Sequence, residues 1–144
     1  MGLLADIFVS TADDATKYEE YLLSDAGLPP DRYAVADYRN LTRVEFGALW
    51  AVLSNEEWDV DHHRLTPVSR SENGETCLDE FPSDLLQKLT TLEPGTEQNV
   101  LRAWAQTDRR NCPPGELAQI LSDLQRLAKI ARASGRGMYL WGSL

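Results

Sequence analysis

Leu117, Ile120, Leu121, Leu124, Leu127, Ala128 and Ala131 recur at the spacing of one helical face, the longest unbroken period in the chain. The spacing predicts a helix over about 114–134. Pro114 stands near its first position, where a missing N–H removes no helical bond. Gly135 is the expected C-terminal stop. A helix of this length with a wide apolar stripe must lie on an apolar surface. The two ends of the chain can supply it. Leu3-Leu4-Ala5-Asp6-Ile7-Phe8-Val9 reads as a strand that is mostly apolar on both faces, hence central and covered on both sides. Met138-Tyr139-Leu140-Trp141 reads as a terminal strand.

The elements between follow from caps and breaks. Thr11 caps a helix over about 12–23, with Asp13 and Asp14 in its first turn and Ala15, Tyr18, Tyr21 and Leu22 on one stripe. Residues 24–41 are a connector, in which Gly27 to Asp31 cannot continue a helix and residues 33–38 fit either an edge strand or an ordered loop. Thr42-Arg43-Val44-Glu45 is a capping box that opens a helix to about Ser54. That helix is apolar over most of its circumference, which predicts a buried, central element. Asn73-Gly74 between residues 66–71 and 76–81 signals a hairpin, with Pro67 marking an edge strand. Short helices follow from Pro82-Ser83 to about Leu92 and after Thr96, the second with Val100, Leu101 and Trp104 inward.

Together these elements predict an α+β fold. Residues 1–144 form one domain, in which a small, mostly antiparallel sheet includes the N- and C-terminal strands and is packed by about five helices. A chain of 144 residues is long enough to bury such a core without disulfide or metal staples.

Charge excludes several classes. The net charge is −9 and the pI about 4.6, which argues against binding a nucleic-acid backbone. Residues 1–100 hold 20 acidic and 7 basic side chains, and residues 101–144 hold 3 acidic and 7 basic. No apolar run is long enough for a membrane span. Met1-Gly2-Leu3-Leu4-Ala5-Asp6 lacks the basic region of a secretory signal and places Asp6 where a myristoylation site needs Ser or Thr. Cys77 and Cys112 fit neither a C-x-x-C nor a zinc spacing, and two thiols suit a reducing, cytoplasmic setting.

Each candidate site has a structural reading beside it. Asp59, Asp61, His62 and His63 are metal-ligand types within five residues, but adjacent histidines diverge in regular structure, and a solvated acidic loop is the simpler account. Cys77 or Cys112 as a nucleophile would need a base, and His62 and His63 are the only histidines. No P-loop, G-x-S-x-G or G-x-G-x-x-G is present, so no cofactor and no catalytic residue are assigned. Asp6 is a carboxylate in an apolar strand, which costs free energy unless it is partnered. Arg126, Lys129, Arg132 and Arg136 form a basic stripe opposite the leucines, suited to an anion or an acidic surface, or to the helix's own C-terminal carbonyls. Trp50 and Trp104 face inward, Trp141 packs in its strand, and Trp58 lies in an acidic loop, where an exposed ring would make a binding anchor, although folding back over the domain is the commoner outcome.

The ending Gly135-Arg136-Gly137-Met138-Tyr139-Leu140-Trp141 after a leucine-rich helix, together with the Leu49-Trp50 helix, resembles uncharacterised small acidic bacterial proteins of similar length. The resemblance implies a cytoplasmic bacterial protein and carries no binding or catalytic residues. The residues themselves favour a non-enzymatic acidic interaction module, immunity- or inhibitor-like, that meets a basic protein partner. The alternative is a small-molecule-binding domain or enzyme with a cleft near Asp6, lined also by Tyr18, Arg43, Trp50 and Tyr139. A third expectation is self-association of the basic helix with an acidic face of a second copy.

Overall fold

The computed structural model describes residues 4–29, 33–39, 41–107 and 114–143. The two end segments pair with each other as expected. β1 (Leu4–Ser10) and β5 (Gly137–Ser143) run antiparallel from Leu4 opposite Ser143 to Ser10 opposite Gly137. β2 (Ala34–Arg39) pairs with the other side of β1, so residues 33–38 resolve as an edge strand. Ala36 packs in the main core while Val35 turns to the opposite cluster. That alternation is weak in sequence because alanine carries little hydrophobic signal. β3 (Thr66–Arg70) and β4 (Thr76–Glu80) form the hairpin around Asn73-Gly74, with Gly74 at φ 72° and a register shift between Pro67 and Ser69. The sheet order is β2-β1-β5-β4-β3 and all neighbours are antiparallel. The α+β expectation with both chain ends in the sheet is therefore met.

Two apolar clusters lie on opposite faces of the sheet. On one face Ala5, Ile7, Val9, Met138 and Leu140 meet α3 (Arg43–Leu53), α4 (Ser83–Thr90), α5 (Glu97–Thr107) and α6 (Pro114–Ser134). The α6 leucines are buried as their period predicts, and Gly135 ends the helix at φ 68°. On the other face Phe8, Tyr139, Trp141 and Leu78 meet α1 (Ala12–Ala15) and α2 (Tyr18–Leu22). The single helix expected over 12–23 is thus two short ones. Lys17 N–H bonds to the Asp14 carbonyl, three residues back, and the chain turns there so that Tyr18 stacks on Phe8 at 3.9 Å.

The capping box on α3 is formed, with Thr42 and Glu45 bonding reciprocally. Phe46, Gly47, Ala48, Leu49 and Ala51 are buried, but Val44 is exposed and Trp50 only half-buried. The helix is therefore not buried all round, because α3 crosses the rim of the main core and turns one edge to solvent. Among the described residues no helix is long and apolar enough to cross a membrane. Cys112 and the boundary at 111–113 fall outside the described residues.

Candidate functional site

Of the candidate residues, Trp50, His62 and His63 converge at the C-terminal end of α3 and the segment after it. The convergence begins at the helix stop. Asn55 adopts a positive φ of 55°, and the Asn55 and Glu56 N–H groups bond back to the carbonyls of Val52 and Ala51. This is the Schellman pattern, and it fixes the exit direction of the chain. The segment then folds back along α3. Gly47 admits it, since a Cβ there would lie 2.1 Å from the His63 carbonyl oxygen. His63 and Leu65 are both buried against the helix.

The two histidines do not diverge. Residues 59–63 form a tight turn in which the His62 and His63 N–H groups both bond to the Asp59 carbonyl. The rings end 4.7 Å apart at 78°. Trp50 stacks on His62 at 5.9 Å and 19°, and meets His63 edge-on at 5.6 Å and 87°. The Trp50 indole N–H donates to Asp84 on α4 at 2.9 Å, and this bond holds the exposed Asp84 carboxyl below its ordinary range. Lys88 pairs with the other Asp84 oxygen at 3.3 Å. Glu56, Glu57, Asp59 and Asp61 are exposed in the same segment, and Val60 between the last two is exposed as well. The result is an aromatic cluster in a segment rich in exposed carboxylates.

Trp50 and Trp58 are both half-buried and both pack against the main core, so Trp58 folds back over the domain and is no exposed anchor. Trp50 also has polar partners, in Asp84 and the two histidines. Trp104 and Trp141 are buried as expected.

The metal-ligand candidates also regroup. Glu56, His62 and His63 bring one potential ligand atom each within 4.8 Å of one another, whereas Asp59 and Asp61 stand outside that trio. Asp59 instead caps its own turn, accepting the Asp61 N–H on Oδ1 at 2.9 Å. The hydrogen bonds decide what the trio is. Asp59 N–H donates to His63 Nδ1 at 3.0 Å. An accepting Nδ1 assigns the proton of the neutral ring to Nε2, which faces Glu56 Oε1 at 3.4 Å. A metal on Nε2 would require that proton on Nδ1, where the Asp59 N–H already points. Metal-bound histidines need an acceptor on the far nitrogen, and here they would meet a donor. The trio works as a brace for the turn.

The five residues expected around an Asp6 cleft divide between the two faces of the sheet. Tyr18 donates to Asp6 Oδ2 at 2.8 Å, and Tyr139 lies in the same aromatic cluster. Arg43 faces Asp79, and Trp50 faces the histidines. Asp6 thus has a tyrosine partner, and Tyr38 likewise donates to Asp123. Burial, with Asp37 directly across the strand pair, pushes the Asp6 carboxyl above its ordinary 3.8, although the Tyr18 bond opposes this. The sign follows. Neutral Asp6 contributes stability that is fully present below the ordinary value and lost as pH rises through the raised one. Asp6→Asn, which keeps an acceptor for Tyr18, is expected to raise the thermal midpoint at pH 7. The gain over the native chain should vanish on acidification below 3.8. Thermal unfolding followed by circular dichroism across that range checks it, and a lower midpoint at pH 7 contradicts it.

Most of the basic stripe on α6 is engaged within the chain. Arg126 pairs with Asp123 at 3.6 Å, Arg132 donates to Thr90 at 2.6 Å and Arg136 to Ser134 at 2.9 Å. Lys129 is exposed. Cys77 is partly buried, and burial pushes its thiol up, away from a nucleophile's range. An open groove of about 600 Å³ lies between α5 and α6, lined by Gln98, Leu101, Arg102, Ala105 and Leu117. None of the candidate residues lines it. No protein family, no curated protein and no solved structure matches the chain.

Glu56, Asp84 and Gly47 were not legible as site residues. Gly47 alone left a signal: a glycine inside an apolar helix marks close backbone approach.

Proposed function

We propose that the protein is a non-enzymatic interaction module that captures a basic segment of a protein partner on the Trp50–His62 surface. The observation that supports it is the stacking of half-buried Trp50 on exposed His62 at 5.9 Å, in a segment that carries the exposed carboxylates Glu56, Glu57, Asp59 and Asp61. Arginine and lysine heads lie favourably over aromatic faces, and carboxylates beside the ring add charge complementarity. The net charge of −9 steers basic partners towards the surface. The backbone bonds at Asn55, Glu56 and Asp59 pre-organise the turn, so little ordering is needed on binding.

The test is a titration of a fluorescently labelled short Arg- and Lys-rich peptide, followed by its anisotropy, beside a labelled acidic peptide of equal length. Binding of the basic peptide alone is expected, weakening as salt rises. Trp50→Ala should abolish it, and Glu57→Gln with Asp59→Asn and Asp61→Asn should weaken it about tenfold, equivalent to about 1.4 kcal/mol. Equal binding by Trp50→Ala, or no preference between the peptides, sinks the reading.

A further inference from the structure

The opposite end of α3 carries a second polar cluster that the aromatic surface does not use. Asp79 on β4 is fully buried, and among the described residues neither of its carboxylate oxygens takes an N–H or O–H donor, which leaves the weak Cys77 thiol as its hydrogen-bond partner. Strand register places it opposite Leu140, on the face of the main core. Cys77 lies two residues earlier on the same face, directly opposite Arg70 of β3. Two guanidinium groups converge on the same oxygen: Arg43 Nη1 lies 3.8 Å from Asp79 Oδ1, and Arg70 Nη2 lies 3.9 Å from it. Both distances exceed hydrogen-bond range, so Asp79 holds each arginine by charge, and among the described residues no hydrogen bond engages either guanidinium. Both side chains are about two-fifths exposed, at 41% and 43%.

Buried carboxylates are ordinarily satisfied by hydrogen bonds. Here burial pushes the Asp79 carboxyl up, and Arg70 together with the Cys77 thiol only partly offsets it. The cluster therefore has two cations around one poorly solvated anion, an excess of positive charge within an acidic protein. Guanidinium forks match the two-oxygen edge of carboxylate and phosphate groups. Two forks brought together by one carboxylate, each on a side chain about two-fifths exposed, can clamp a second anion between them.

We propose that Arg43 and Arg70, gathered by the buried Asp79, form a binding site for a small oxyanion, a phosphate or carboxylate group. Asp79 is the positioning residue, and the two arginines make the contacts. The site is independent of the aromatic surface, since Arg43 opens α3 and Trp50 lies in its last turn.

Calorimetric titration of the full chain with inorganic phosphate, and separately with acetate, at matched ionic strength tests this. Saturable binding of at least one anion is expected, and the anion that responds identifies the group recognised. Arg43→Gln and Arg70→Gln should each weaken it at least tenfold, while Arg43→Lys, which keeps the charge without the fork, should weaken it less. Removing an arginine beside a buried carboxylate can itself destabilise a fold. The double Arg43→Gln, Arg70→Gln variant is therefore also made with Asp79→Asn, and folding is confirmed by circular dichroism. No saturable binding of either anion overturns the proposal. So does binding that survives in the folded triple variant.

Discussion

Trp104→Ala is expected to lower the unfolding free energy by about 3–5 kcal/mol, the range for deleting a large buried aromatic side chain. Trp104 is 1% exposed and sits on the inner face of α5. Its indole N–H donates at 2.9 Å to the Glu45 carbonyl in the first turn of α3. The substitution therefore leaves a cavity in the main core and unlinks the two helices. Small domains have only about 5–15 kcal/mol of stability in total, so the variant should be partly unfolded at mild temperature. Trp104→Phe keeps most of the volume and loses the indole bond, and its cost should be clearly smaller. Chemical denaturation of both variants measures the difference. A loss below about 1 kcal/mol for the alanine variant would contradict the packing described, since exposed sites fall in that range.

Gly47→Ala should run against the usual trend. In an open helix interior this change stabilises by about 1 kcal/mol, because alanine is the better helix former. At Gly47 the added Cβ would lie 2.1 Å from the His63 carbonyl oxygen, a backbone atom that cannot rotate away. Overpacking of this kind costs about 1–3 kcal/mol, occasionally more, so a net loss is expected. The lost contact is also the one that seats the turn of Asp59 to His63. Stacking of Trp50 on His62 should loosen, and the basic-peptide titration should weaken with it. Denaturation and tryptophan emission read the two effects on one sample. A more stable variant with unchanged emission would show that the segment does not lie against α3.

The elements most legible in the sequence are those encoded by local period. The α6 leucines announce their own face, Gly135 and the Thr42–Glu45 box mark helix ends, and Asn73-Gly74 marks the hairpin. The break between α1 and α2 was hidden, because the stripe of Ala15 and Tyr18 continues through it while the backbone turns to bring Tyr18 onto Phe8. The polar partners of Trp50 were hidden for a related reason. Helical period places Trp50 beside an apolar stripe, but only the position of α3 at the rim of the core decides that the stripe ends there.

The sequence by itself determined an α+β chain with both ends in the sheet, a long amphipathic helix, a strongly acidic surface over the first hundred residues, and the residue types available for a site. The tertiary structure alone decided which of those types meet. His62 and His63 converge with Trp50 because the segment after α3 folds back past Gly47, and Arg43 and Arg70 share Asp79 because a helix start and a hairpin strand arrive at one place on the sheet. Side-chain period is a property of neighbours along the chain. The partners of a polar group are set by packing between segments distant in sequence, which no local pattern records.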